Sequence, residues 1–163
     1  MARSQAYWSA NLYAEASSPP RRSAPLRDLP PAFATRFRSL RDGLVAISGA
    51  AEHIRFMGPL WKWAWEYAAS GRKLCWLHVL NTGVGGTFTL SRDEESRTLA
   101  TPKLAGVILR AVQTGHMTGP IRWCGLEFTD RKTVDAFLGF MRRKGAWAEA
   151  AAEPMGRRRS AAG

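Results

Sequence analysis

Apolar positions along this chain recur with two different periods. Around Trp61 they alternate: Trp61, Trp63, Trp65 and Tyr67 are separated by Lys62, Ala64 and Glu66. That is the two-residue period of a strand with one aromatic face. A short turn, Ala69-Ser70-Gly71, leads to residues 73–80, which are apolar in both phases. Leu74, Trp76, His78 and Leu80 share one phase; Cys75, Leu77 and Val79 share the other. This reads as a central strand covered on both faces. Upstream, Phe33, Phe37, Leu40 and Leu44 recur every three or four residues and predict a helix over 32–43. Residues 52–57 read as a short edge strand, and Gly58-Pro59 as the turn into the tryptophan strand.

Downstream, Asn81–Gly86 holds three glycines in the run NTGVGG and predicts a hairpin loop, followed by a strand over 87–90. Ser91 and Glu94 have the spacing of a capping box, so a short helix is expected to about Leu99. Thr101-Pro102 suits the start of another helix, with Leu104, Val107, Ile108 and Ala111 as its stripe and Gly115 at its end. Gly119-Pro120 turns the chain into a last strand over 121–128. Asp130 caps a last helix, with Val134, Phe137, Leu138 and Met141 inward, Arg142, Arg143 and Lys144 in its final turn, and Gly145 just beyond. The expected fold is α+β in two layers: an antiparallel sheet of four to five strands built from hairpins, packed by three to four helices.

The ends look different. Residues 1–31, with SSPPRRSAP and Leu29-Pro30-Pro31, read as a poorly ordered lead. Inside it, Tyr7, Trp8, Leu12 and Tyr13 suit either a short docking helix or a mobile partner-binding segment, and terminal position favours the mobile reading. Residues 32–147 form one α+β domain, and residues 148–163 a disordered basic tail, although 148–153 could extend the last helix.

Composition adds a location and a charge. No apolar run is long enough to span a bilayer, and the N-terminus lacks the apolar core of a secretory signal, so the expected compartment is the cytoplasm, without a membrane partner. Two cysteines, Cys75 and Cys124, make no disulfide framework and read as small buried hydrophobes. The formal net charge is +11. The two ends carry +2 and +1, which leaves +8 on residues 32–147. A basic domain attracts nucleic acid or another anionic partner.

No pattern of catalytic residues is present. The three histidines, His53, His78 and His116, have no metal-ligand spacing with the cysteines, so no metal or other cofactor is expected. NTGVGG lacks the lysine and hydroxyl of a phosphate loop. Glu66 and Glu127 are the strand carboxylates with aromatic neighbours; ion pairs with Lys62, Arg72 or Arg122 are their simplest role. The aromatic face is the least ordinary feature. Its main reading is core, and its functional reading a stacking surface or ligand cleft.

From Arg41 to Trp147, four stretches resemble a bacterial family of domains of unknown function: WKWAWEY, GRKLC, TFTLSRDE, and IRWCGLEFTDR followed by a helix ending in RRK-x-x-W. The element order is similar to that of the YdhG-like and YjbR-like small bacterial domains. The resemblance implies a compact sheet-and-helix domain with no established reaction; for YjbR-like domains it suggests DNA binding, a fold-level analogy.

The functional expectation is a non-enzymatic binding module with a basic surface for an anionic partner, nucleic acid being one. Its candidate binding residues are Trp61, Lys62, Arg72, Lys73, Arg122, Trp123, Arg131 and Lys132, and no catalytic residue is assigned. The alternative is a small-molecule-binding domain or enzyme with a tryptophan-lined pocket.

Overall fold

The computed structural model describes residues 5–153. The expected α+β class is present, with a larger sheet: six antiparallel strands rather than four to five, in the order β1-β2-β3-β4-β6-β5. The strands are β1 (Ala50–Phe56), β2 (Trp63–Ala69), β3 (Arg72–Leu80), β4 (Gly83–Leu90), β5 (His116–Thr118) and β6 (Ile121–Glu127). The helices are α1 (Gln5–Ser9), α2 (Ala24–Asp28), α3 (Pro31–Val45), α4 (Arg92–Leu99), α5 (Gly106–Gln113) and α6 (Arg131–Ala152). Among the described residues no helix is long and apolar enough to cross a membrane.

One face of the sheet is the core. Trp65, Tyr67, Cys75, Leu77, Val79, Phe88, Leu126 and Phe128 project from it into the stripes of α3, α5 and α6, among them Phe37, Leu40, Ile108, Val134 and Phe137. Trp65 and Tyr67 are fully buried, as their alternation requires. Buried Glu52 holds this layer together laterally. It accepts hydrogen bonds from the Tyr67 hydroxyl at 2.7 Å and from Arg41 of α3 at 2.8 and 3.1 Å.

Several local expectations are corrected. β4 begins at Gly83, so the glycines of NTGVGG lie largely in a strand and the connecting turn is only Asn81-Thr82. β5 is an added edge strand whose three residues are all exposed, so it carries no apolar alternation to read. Thr101-Pro102 does not open a helix. The Thr101 hydroxyl donates to the Arg97 carbonyl and closes α4, Lys103 turns through a positive φ of 54°, and α5 begins at Gly106. Gly145 does not end α6. A Cβ there would lie 2.7 Å from Ile47, so this glycine serves close packing and the helix runs on to Ala152. Lys144 is consequently not a solvated last-turn cation. It is buried, donates to the Thr89 carbonyl at 2.7 Å and lies 3.3 Å from Glu94, whose other oxygen accepts from the Ser91 backbone in the expected capping box. Of the predicted basic tail, residues 148–152 are helical, and 154–163 lie outside the described residues.

The largest correction concerns residues 5–31, which are packed rather than loose. Trp8, in α1, is buried on the sheet face opposite α3, α5 and α6. The chain then crosses the sheet end beside Leu80, where the Leu12 amide donates to Val79 and the Asn81 amide to Ala10. Buried Asn11 donates to the carbonyls of Trp61 and Trp63 and accepts from the Tyr13 amide. On the core side, the indole N–H groups of Trp63 and Trp65 donate to the Glu15 and Arg22 carbonyls. A buried indole needs an acceptor, and the prolines that prevent regular structure in this segment leave its carbonyls free to accept.

Replacing Trp65 with Ala removes a fully buried ring packed edge-on to Phe37. It should cost about 3–5 kcal/mol in a denaturant titration; a loss under about 1 kcal/mol, the range of surface substitutions, would show that this face is not core.

Candidate functional site

The second sheet face carries the site. Strand register places Glu66, Trp76, Thr87 and Gly125 in one row across β2, β3, β4 and β6, with Ala64, His78, Gly85 and Glu127 in the next. α1 lies on this face. It sits there because Gly85 and Gly125 leave a hollow: a Cβ on either would come within 2.8–2.9 Å of the Trp8 ring.

Trp61 was expected to share the aromatic face of β2, and it does not. The strand begins only at Trp63, and Lys62 turns through a positive φ of 58°. That turn throws Trp61 onto the face that carries α1, where its ring lies 5.4 Å from Trp8 and 5.3 Å from His78. On the other side Trp76 and Trp123 stack at 5.2 Å with their planes 29° apart. The result is a cleft of about 520 Å³. Its walls are Trp8, Trp61 and Leu60 on one side and Trp123, His116 and Thr118 on the other, with Thr87 and Gly125 among its lining. This volume falls within the usual range of small-molecule sites, and so does a mostly apolar wall carrying a few polar groups.

Glu66 supports one wall. It is buried and accepts from the Trp76 indole at 3.0 Å, from Arg55 at 2.6 Å and from Lys73. Burial alone raises its pKa, but the hydrogen bonds from Lys73, Arg55 and Trp76 outweigh it and hold the carboxyl below its usual range. The expected partners were Lys62, Arg72 and Arg122. Lys73 takes the role because a register shift between Tyr67 and Ala68 sets it opposite Ala68, in the phase of Glu66. The same bulge sends Leu74 into the main core instead of the phase of Trp76.

His78 lies behind the other wall, fully buried against Trp8 and Trp61. Its Nε2 is 2.8 Å from the Thr87 hydroxyl and its Nδ1 has no partner. Burial pushes its pKa down to about 3, so the imidazole is neutral. Both thiols are also protonated: burial pushes Cys75 up, and Cys124 up to about 12.

Of the eight candidate residues, the structure brings Trp61 and Trp123 together in the cleft. Lys62 is adjacent, with its ammonium on the Ser9 carbonyl at 2.7 Å. Lys73 is paired with Glu66. Arg122 belongs to the core-facing phase of β6, 3.0 Å from Glu95. Arg72 is exposed at the β2–β3 turn, whereas exposed Arg131 and Lys132 open α6 at the opposite end of the strands. These cations therefore do not form one stripe, and among the described residues no Lys or Arg lines the cleft. Trp8, His78 and Thr87 were not among the candidates. Trp8 left a signal in the apolar cluster 7–13; the His78–Thr87 pairing depends on register and left none. Among the described residues no three His, Cys, Asp or Glu side chains converge as metal ligands. Comparison with known protein families, curated proteins and solved structures finds no match.

The imidazole sets a pH dependence. The unfolded chain takes up a proton on His78 below its ordinary value of 6.5, and the folded chain does not until about 3. Stability is therefore full above 6.5 and falls as pH drops toward 3, at up to about 1.4 kcal/mol per pH unit. Denaturant titrations from neutral pH to about pH 5, a window above most carboxylate titration, should show this slope in the native chain and its loss in His78→Gln. An unchanged slope in the variant would mean that His78 titrates alike in the folded and unfolded chain, so that its burial is not holding it neutral.

Proposed function

We propose that this chain is a non-catalytic binding domain and that its ligand site is the cleft on the sheet face opposite α3, α5 and α6, which takes a planar aromatic group. The observation that carries the reading is that three tryptophans line one open cleft: Trp8 in contact with Trp61, and Trp123, whose ring stacks on Trp76. Indole faces held apart by a rigid sheet are suited to stacking on flat rings. The lining offers little for catalysis: Cys124 is a protonated thiol, and His116, an exposed edge-strand residue, has no acid or base beside it in the wall.

Nucleic acid is the second reading. The net charge of +11 favours it, as does the use of sheet-borne aromatics to stack bases in single-strand binders. The resemblance to YjbR-like domains points the same way. Against it stands the scatter of the exposed cations between the two ends of the strands.

The two readings separate by experiment. Small planar aromatics titrated into the labelled protein should shift the indole N–H resonances of Trp8, Trp61 and Trp123. Trp61→Ala and Trp123→Ala should each cost about 1–3 kcal/mol of binding, the usual worth of one stacked ring. Indole signals that no aromatic moves would overturn the reading. If single-stranded nucleic acid binds, neutralising four phosphates should give a log–log salt slope of about −2.8, and Trp123→Ala should weaken it; no binding at low salt removes the nucleic-acid reading.

A further inference from the structure

We propose that Thr87 is the polar recognition point of the cleft, that His78 sets its polarity, and that the ligand presents an uncharged hydrogen-bond acceptor at the edge of a planar ring. This rests on the cleft being the ligand site and adds which ring it selects.

Thr87 sits in the middle of the face, flanked by Trp76 and Gly125 in the register, and its side chain lines the cleft. Among the described residues its only side-chain partner is His78 Nε2. One proton must lie on one of the two imidazole nitrogens, since the ring is neutral. A proton on Nδ1 would strand a buried N–H, because Nδ1 has no acceptor. A proton on Nε2 leaves Nδ1 as an unpaired acceptor instead. Orphaned donors are rarer in folded proteins than under-used acceptors, so the proton lies on Nε2 and donates to Thr87 Oγ1. The Thr87 hydroxyl then accepts from His78 and keeps its own hydrogen for a third atom. Among the described residues no group takes that hydrogen, and open volume beside Thr87 is provided by the cleft. Its ligand therefore supplies an acceptor, a ring nitrogen or a carbonyl. A carboxylate or phosphate fits poorly at this depth, because among the described residues no Lys or Arg lines the cleft to offset its desolvation.

Three bicyclic rings of similar size test this: isoquinoline with a bare ring nitrogen, naphthalene with none, and indole with only an N–H. On the full chain at neutral pH, isoquinoline should bind about five- to tenfold more tightly than naphthalene, the worth of one hydrogen bond. Thr87→Val should abolish the difference and Thr87→Ser restore it. Nitrogen NMR of the unmodified protein should find the His78 proton on Nε2. Failure of all three rings to reach the tryptophans overturns the cleft reading and this proposal with it. If the rings bind, equal affinity for isoquinoline and naphthalene overturns this proposal alone. So does a preference for indole, a difference that survives Thr87→Val, or a proton found on Nδ1.

Discussion

The contact between the Trp8 ring and the bare backbone at Gly85 and Gly125 governs much of this structure. An indole cannot lie flat on a sheet whose strands carry side chains beneath it. Two missing Cβ atoms on adjacent strands create the necessary depth. With Trp8 seated, His78 is closed off from water, Trp61 has a ring to pack against, and the cleft gains a wall. The same contact fixes where the chain must cross the sheet end, and so places Asn11 against the Trp61 and Trp63 carbonyls.

Buried charge is handled in one way throughout. Glu52, Glu66 and Glu94 are each tied to a cation and to at least one further donor: Arg41 with Tyr67, Arg55 and Lys73 with Trp76, and Lys144 with the Ser91 amide. Breaking such a group strands a desolvated charge, so each one specifies geometry more strongly than it stabilises. The one around Glu66 orients Trp76 and hence the stacked pair. These pairings also take Arg41, Arg55, Lys73 and Lys144 out of the pool of cations available to a partner. A formal charge therefore overstates the free positive surface.

Regular elements were legible where one period ran uninterrupted: the stripes of α3 and α6, the alternation of β2 and β6, the capping box of α4. What was hidden depended on single backbone events. The positive φ at Lys62 moved Trp61 from the core face to the cleft, and the bulge at Tyr67/Ala68 moved Lys73 beside Glu66. Neither leaves a mark in composition or period. Glycines were ambiguous for a related reason. Those of NTGVGG look like turn residues, yet Gly85 is a strand residue kept small for the ring of Trp8, far away in the sequence. The cleft was half legible: Trp61 and Trp123 stood out as tryptophans, whereas the glycine hollow and the His78–Thr87 pair exist only once strands are in register.

The crossing of the N-terminal chain from one sheet face to the other has a consequence for how this protein can be cut, fused or tagged. A piece beginning at residue 32 keeps every strand, yet it loses the acceptors of two core indoles and the Trp8 ring of the cleft together. Dissection at that apparent boundary would disturb the core and the cleft through missing parts and mimic a mutation there. A fragment that keeps both therefore has to begin no later than α1.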